Sequence, residues 1–114
     1  MAINSNQKGK RGERMLCKAL NKHGYECRRS QQFSGANGDA DIVGLHGIYP
    51  ECKFVEKLNI HNAMKQAEGD AINNRMPTVF HKKNGTGWLV TCSLESWVKL
   101  HKVREWKENM GGIE

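Results

Sequence analysis

The chain has 114 residues, 38% of them hydrophobic and 26% charged, which is enough for one compact domain and too few for two ordinary ones. Its formal net charge is +6 and its pI near 9.3. That balance favours a polyanionic partner, since each Lys or Arg that neutralises a phosphate releases a counterion; a generally basic soluble protein would look the same. No stretch approaches the roughly 18 apolar residues of a membrane span, and Met1–Gln7 has no apolar core like that of a signal peptide, so a cytoplasmic protein is expected.

Residues 1 to 7 read as a short flexible arm, and Lys8-Gly9-Lys10-Arg11-Gly12 as a basic lead-in. Met15, Leu16, Ala19 and Leu20 then recur at helical spacing until Gly24, which predicts a first helix near residues 9 to 22. Tyr25 to Arg29 fits a short strand, and Ser30 to Gly38 is a polar, glycine-containing loop. Ala40 to Leu45 and Ile48 to Phe54 read as two strands joined at His46-Gly47. A second amphipathic helix follows, with Ile60, Met64, Ala67, Ala71 and Ile72 on one face. Pro77 leads into a strand over Thr78 to His81, Asn84-Gly85 marks a turn, and Gly87 to Thr91 returns as its partner. Ser93 is the expected N-cap of a last helix, with Glu95 in its first turn and apolar positions at Leu94, Trp97, Val98, Leu100 and Val103. The order predicts one α/β (α+β) domain over residues 1 to 114, a mixed five-stranded sheet flanked by helices. The four cysteines, Cys17, Cys27, Cys52 and Cys92, form no C-x-x-C pair and no zinc spacing. They are expected to be reduced, mostly buried small hydrophobes.

The segment that carries chemistry is Gly38-Asp39-Ala40-Asp41-Ile42-Val43 followed by Pro50-Glu51-Cys52-Lys53. Strand side chains alternate, so Glu51 and Lys53 share a face while Cys52 points away. If Leu45-His46-Gly47 forms a three-residue hairpin loop, Asp41 falls opposite Glu51 and Asp39 opposite Lys53. A two-residue His46-Gly47 turn would instead pair Asp41 with Cys52 and break that face. Two carboxylates directly opposed repel unless a cation lies between them or one is protonated. Hard divalent cations such as Mg²⁺, or Mn²⁺, take such oxygen ligands. A nearby lysine can then orient an attacking water or stabilise a phosphate transition state, which is the equipment of phosphodiester hydrolysis.

Asp41 with apolar residues after it, then a hairpin and Glu51-x-Lys53, resembles the signature of the PD-(D/E)XK nucleases. The chain order is similar to archaeal-type Holliday-junction resolvases and small VRR-type nucleases. The resemblance covers roughly residues 8 to 98, and it implies a restriction-endonuclease-like fold. In the resolvase branch a Lys-Gly-rich start leads into a helix bearing a glutamate, which Lys8-Gly9-Lys10-Arg11-Gly12-Glu13 matches. Glu13, on the face of Leu16 and Leu20, would then join Asp41 and Glu51 as a metal ligand, with Lys53 as the catalytic lysine. The glutamine that many members carry on the following helix corresponds to Gln66, although members with Gln-x-x-x-Tyr would have tyrosine where this chain has Asp70. Ala40 replaces the proline that often precedes the first aspartate. Arg28, Arg29 and Ser30 stand where resolvases meet phosphate, and Lys8, Lys10 and Arg11 are further expected DNA contacts.

The implied activity is a metal-dependent, structure-selective DNA endonuclease, acting as a homodimer because two symmetric cuts need two sites. The same site would equally serve a nicking, flap or restriction-like nuclease. A catalytically silent nucleic-acid-binding module on the same fold is the alternative from another class. Plainer roles stand beside the sharp ones: Glu13 as a helix-start carboxylate, Asp39 as a turn residue, Lys8, Lys10 and Arg11 as a solvated arm, His46 as a turn residue. His81 with Asn84 lacks the spacing of an HNH nuclease, Trp88 is expected in the core, and Trp97, Leu100 and Val103 are expected in the core or a subunit interface.

Overall fold

The structure, a computed structural model, describes residues 5–30 and 41–111. It runs α1 (Ser5–Asn21), β1 (Arg28–Arg29), β2 (Ile42–Val43), β3 (Ile48–Phe54), α2 (Ile60–Asp70), β4 (Met76–Lys82), β5 (Leu89–Thr91) and α3 (Leu94–Gly111). The mixed helix and strand order agrees with the reading of the sequence. The single five-stranded sheet does not: the strands form an antiparallel pair β1-β2 and a separate sheet β3-β4-β5.

α1 begins at Ser5, earlier than expected, so residues 5 to 7, expected in the arm, are helical. Once the Met15–Leu20 region is helical, adding residues costs far less than nucleating a helix, and nothing in Ser5-Asn6-Gln7 breaks it. β1 is only two residues because Asn21 claims the backbone ahead of it. Its side-chain amide donates to the Cys27 carbonyl at 3.0 Å and accepts from the Cys27 N–H at 2.6 Å.

The expected hairpin between the second and third strands is also absent. β2 pairs with β1, Arg28 with Val43 and Arg29 with Ile42, and the ladder extends through the Ser30 N–H, which donates to the Asp41 carbonyl at 2.7 Å. Gly44 explains the choice. At φ +117° it lies against the Glu26 carbonyl, where a Cβ would come within 2.5 Å of the oxygen, so the chain is drawn against residues 26 and 27.

β3 pairs in parallel with β4 through the α2 crossover, Glu51 opposite Val79 and Lys53 opposite His81. β4 returns antiparallel through the Asn84-Gly85 turn, with His81 opposite Leu89. One face of β3 packs on α1, where Gly12 sits so close to Phe54 that a Cβ would come within 2.8 Å of its side chain. Behind that contact Leu16, Cys17, Cys27, Ile42 and Phe80 form the main core, with Trp88 packed against it. On the other face Val79 is buried against Ala63 and Ala67 of α2. Ile72 lies beyond the end of that helix and is exposed, contrary to its expected place on the apolar face. All four cysteines are free thiols, Cys17 and Cys27 buried. Ser93 accepts from the Ser96 N–H at 3.1 Å and caps α3 as expected. Among the described residues no helix is long and apolar enough to cross a membrane.

Candidate active site

Alternation along β3 turns Tyr49, Glu51 and Lys53 to the α2 side. Glu51 is only 8% exposed. Lys53 Nζ lies 3.4 Å from its Oε1 and donates to Gln66 Oε1 on α2 at 3.1 Å. The ammonium thus bridges the Glu51 carboxylate and the Gln66 amide oxygen. Burial pushes the Glu51 carboxyl above its ordinary value; Lys53 pulls it back, and the charges of Asp41 and Asp70 push it further up.

Glu13 reaches the same neighbourhood from α1, one turn before the buried Leu16 and Cys17. Its Oε1 accepts from Arg29 Nε at 2.9 Å. Burial raises its pKa first; the Arg29 hydrogen bond opposes this, and the Asp41 carboxylate, close enough to hydrogen-bond and to repel it, adds to the rise. Asp41 is exposed at the start of β2, its backbone held by Ser30. Glu13 and Asp41 are thus in contact, and Glu51 feels the charge of Asp41. Asp41 acts on Glu51 only through its charge, and it is positioned by the β1-β2 pair; the expected hairpin register that would have set it directly opposite Glu51 is not formed.

Among the described residues, no three His, Cys, Asp or Glu side chains are drawn together tightly enough to hold a metal ion. The donor chemistry nonetheless fits a hard divalent cation: Glu13 and Glu51 are both pushed up by burial and by the charge of Asp41, and they are met by the cationic groups of Arg29 and Lys53.

Of the expected DNA contacts, Lys10, Arg11 and Arg28 are exposed, and the Arg11 guanidinium lies 5.8 Å from the Phe54 ring centre. Arg29 is occupied by Glu13, and Ser30 is half-buried. The Lys8 side chain and Asp39 lie outside the described residues. The residue that sequence reasoning missed is His81. It is the direct neighbour of Lys53 across the β3-β4 ladder, and its Nε2 lies 2.8 Å from Thr91 Oγ1. No local signal marks it, because the parallel pairing that brings it there spans 28 residues of chain.

No family model matches the chain, and no curated protein does. Among solved structures it is similar to Archaeoglobus fulgidus Hjc, a Holliday junction resolvase from an archaeal hyperthermophile. The two share 24% identity over 75% of this chain and 72% of that one, with a TM-score of 0.51. The likeness shows that the two chains share a fold.

Proposed function

We propose, from that fold, that this chain is a metal-dependent endonuclease that hydrolyses phosphodiester bonds in branched DNA, in the manner of a Holliday-junction resolvase. The observation that carries the reading is the buried Glu51, paired with a Lys53 that Gln66 holds in turn, with Glu13 and Asp41 interacting nearby. A pure binding module gains nothing from three carboxylates facing phosphate.

Glu13, Asp41 and Glu51 would hold Mg²⁺ or Mn²⁺. When bound, such an ion polarises the scissile phosphate and lowers the pKa of an attacking water. Lys53 directs an ammonium N–H at a non-bridging phosphate oxygen and stabilises the charge that builds there during in-line attack. Gln66 positions Lys53 by holding its ammonium from the α2 side. Glu13 is released from Arg29 as phosphate competes for the guanidinium, since Arg takes phosphate bidentately as readily as carboxylate. Lys10, Arg11 and Arg28 supply exposed charge for the flanking backbone. Two copies, one per strand, would make the paired cuts a junction requires.

The test is a labelled four-way junction and a matched linear duplex, incubated with Mg²⁺ or with chelator, beside Glu51→Ala. Magnesium-dependent paired cuts on the junction alone, lost in the variant, are expected. Cutting of both substrates would keep the nuclease and remove the junction preference. Binding without cutting would leave a nucleic-acid-binding module.

A further inference from the structure

Beyond Lys53 the sheet continues on the same face. Lys53, His81 and Leu89 are register partners across β3, β4 and β5, and neighbouring strands lie about 4.8 Å apart. His81 and Leu89 of that row line a cavity of about 340 Å³, together with Val55 and Leu58 after β3 and with Lys82 and Lys83. Nothing in the proposed chemistry uses it.

We propose that this cavity receives one unpaired nucleobase of the strand being cut, with the His81 ring as its stacking surface and its lysines meeting the adjoining phosphate. The proposal rests on the nuclease reading and deepens it by naming the feature of branched DNA that is recognised.

The volume lies at the low end of small-molecule sites, which suits a single base and excludes a duplex. The lining combines apolar Val55, Leu58, Trp88 and Leu89 with the cationic Lys82 and Lys83. Lys82 is already committed, donating to the Thr86 carbonyl and lying 5.7 Å from the Phe54 ring centre. Glu56 also lines the cavity, its carboxylate accepting from the Asn84 N–H at 2.8 Å. A carboxylate in the wall disfavours a free anion as the ligand and is no obstacle to a neutral base whose phosphate stays outside. His81 is held by Thr91, and burial lowers its basicity, so the ring presents an uncharged face of the kind on which extrahelical bases stack. Extruding a base from continuous duplex costs unpairing and unstacking, whereas a branch point has already met much of that cost. A base pocket one register step from the catalytic lysine therefore converts DNA shape into a preference for branches.

The experiment places 2-aminopurine at successive positions near the branch of a four-way junction and titrates the full chain in chelator, reading fluorescence and affinity together. One position next to the cut should change its fluorescence on binding. An abasic site there should weaken binding by about tenfold, within the range of a stacked base. His81→Ala should abolish the signal and weaken junction binding to a similar degree while leaving linear-duplex binding unchanged. Leu89→Glu, at a 63% exposed site that the fold tolerates, should do the same by setting a carboxylate against the strand. Junction binding and cutting with no position-specific fluorescence change, or with both variants equal to wild type, would overturn the pocket and leave the nuclease standing. Failure to bind any of these DNAs would overturn both.

Discussion

A carboxylate taken out of water destabilises the fold while it is charged, and Glu51, 8% exposed, is in that position. Its folded pKa is raised, chiefly by burial. In the metal-free protein the folded state therefore holds its proton to higher pH than the unfolded chain does. Stability is lost as pH rises from the unfolded value through the folded one, and the loss is complete once pH has passed the folded value. Glu51→Gln keeps the shape and removes the charge. In chelator it should gain about 0.5–2 kcal/mol at neutral pH, a class of gain common where a strained site is neutralised, and the gain should shrink in mildly acidic buffer. Thermal melts of both proteins across that range check the sign; a variant less stable than wild type at neutral pH would show that the pairing with Lys53 outweighs burial. The same substitution should eliminate cutting. Glu51 and Lys53 were legible in the sequence because an i, i+2 pair on a strand needs only alternation. His81 was not, since its position beside Lys53 exists only once β4 has crossed over in parallel.

At the scale of elements, most of the strands and all three helices follow from periodicity and turn chemistry. Asn84-Gly85 gave the β4-β5 turn, and Ser93 the start of α3. The pairing of β2 did not follow. Consecutive strands with a short connection usually pair, which favoured a β2-β3 hairpin, but the decisive contact is the close approach of Gly44 to the Glu26 carbonyl. A positive φ and a backbone contact leave no trace in hydrophobic pattern. Gly44→Ala should therefore be costly on both counts, by about 1–3 kcal/mol in urea unfolding. Because β1 carries Arg29 and β2 directly follows Asp41, it should also reduce cutting more than junction binding. An alanine variant as stable as wild type would mean that β2 is free to move away from residues 26 and 27.

The whole molecule measures 60 × 32 × 27 Å, and its apolar surface is unevenly spread. Leu94, Trp97, Leu100, Val103, Trp106 and Met110 of α3 are each about half or more exposed, as are Leu89 and Val90 on the edge strand β5. α3 carries four Lys or Arg against three Glu, nearly neutral in a chain of net charge +6, and its exposed ion pairs run within the helix from Glu95, His101 and Arg104 to residues four positions along. Such a surface suits a second copy of this chain better than DNA. In proteins most helical stability comes from packing rather than from propensity, so α3 should gain order from the contact that covers it. Sedimentation velocity should show a species of twice 12.9 kDa. Val103→Glu combined with Trp106→Glu should convert it to monomer, with reduced helicity by circular dichroism. Each monomer keeps a complete set of Glu13, Asp41, Glu51 and Lys53, so the dissociated variant should still nick a junction strand while losing paired cuts. A wild-type monomer that nevertheless makes paired cuts would remove α3 from the dimer and leave its apolar surface to a different partner.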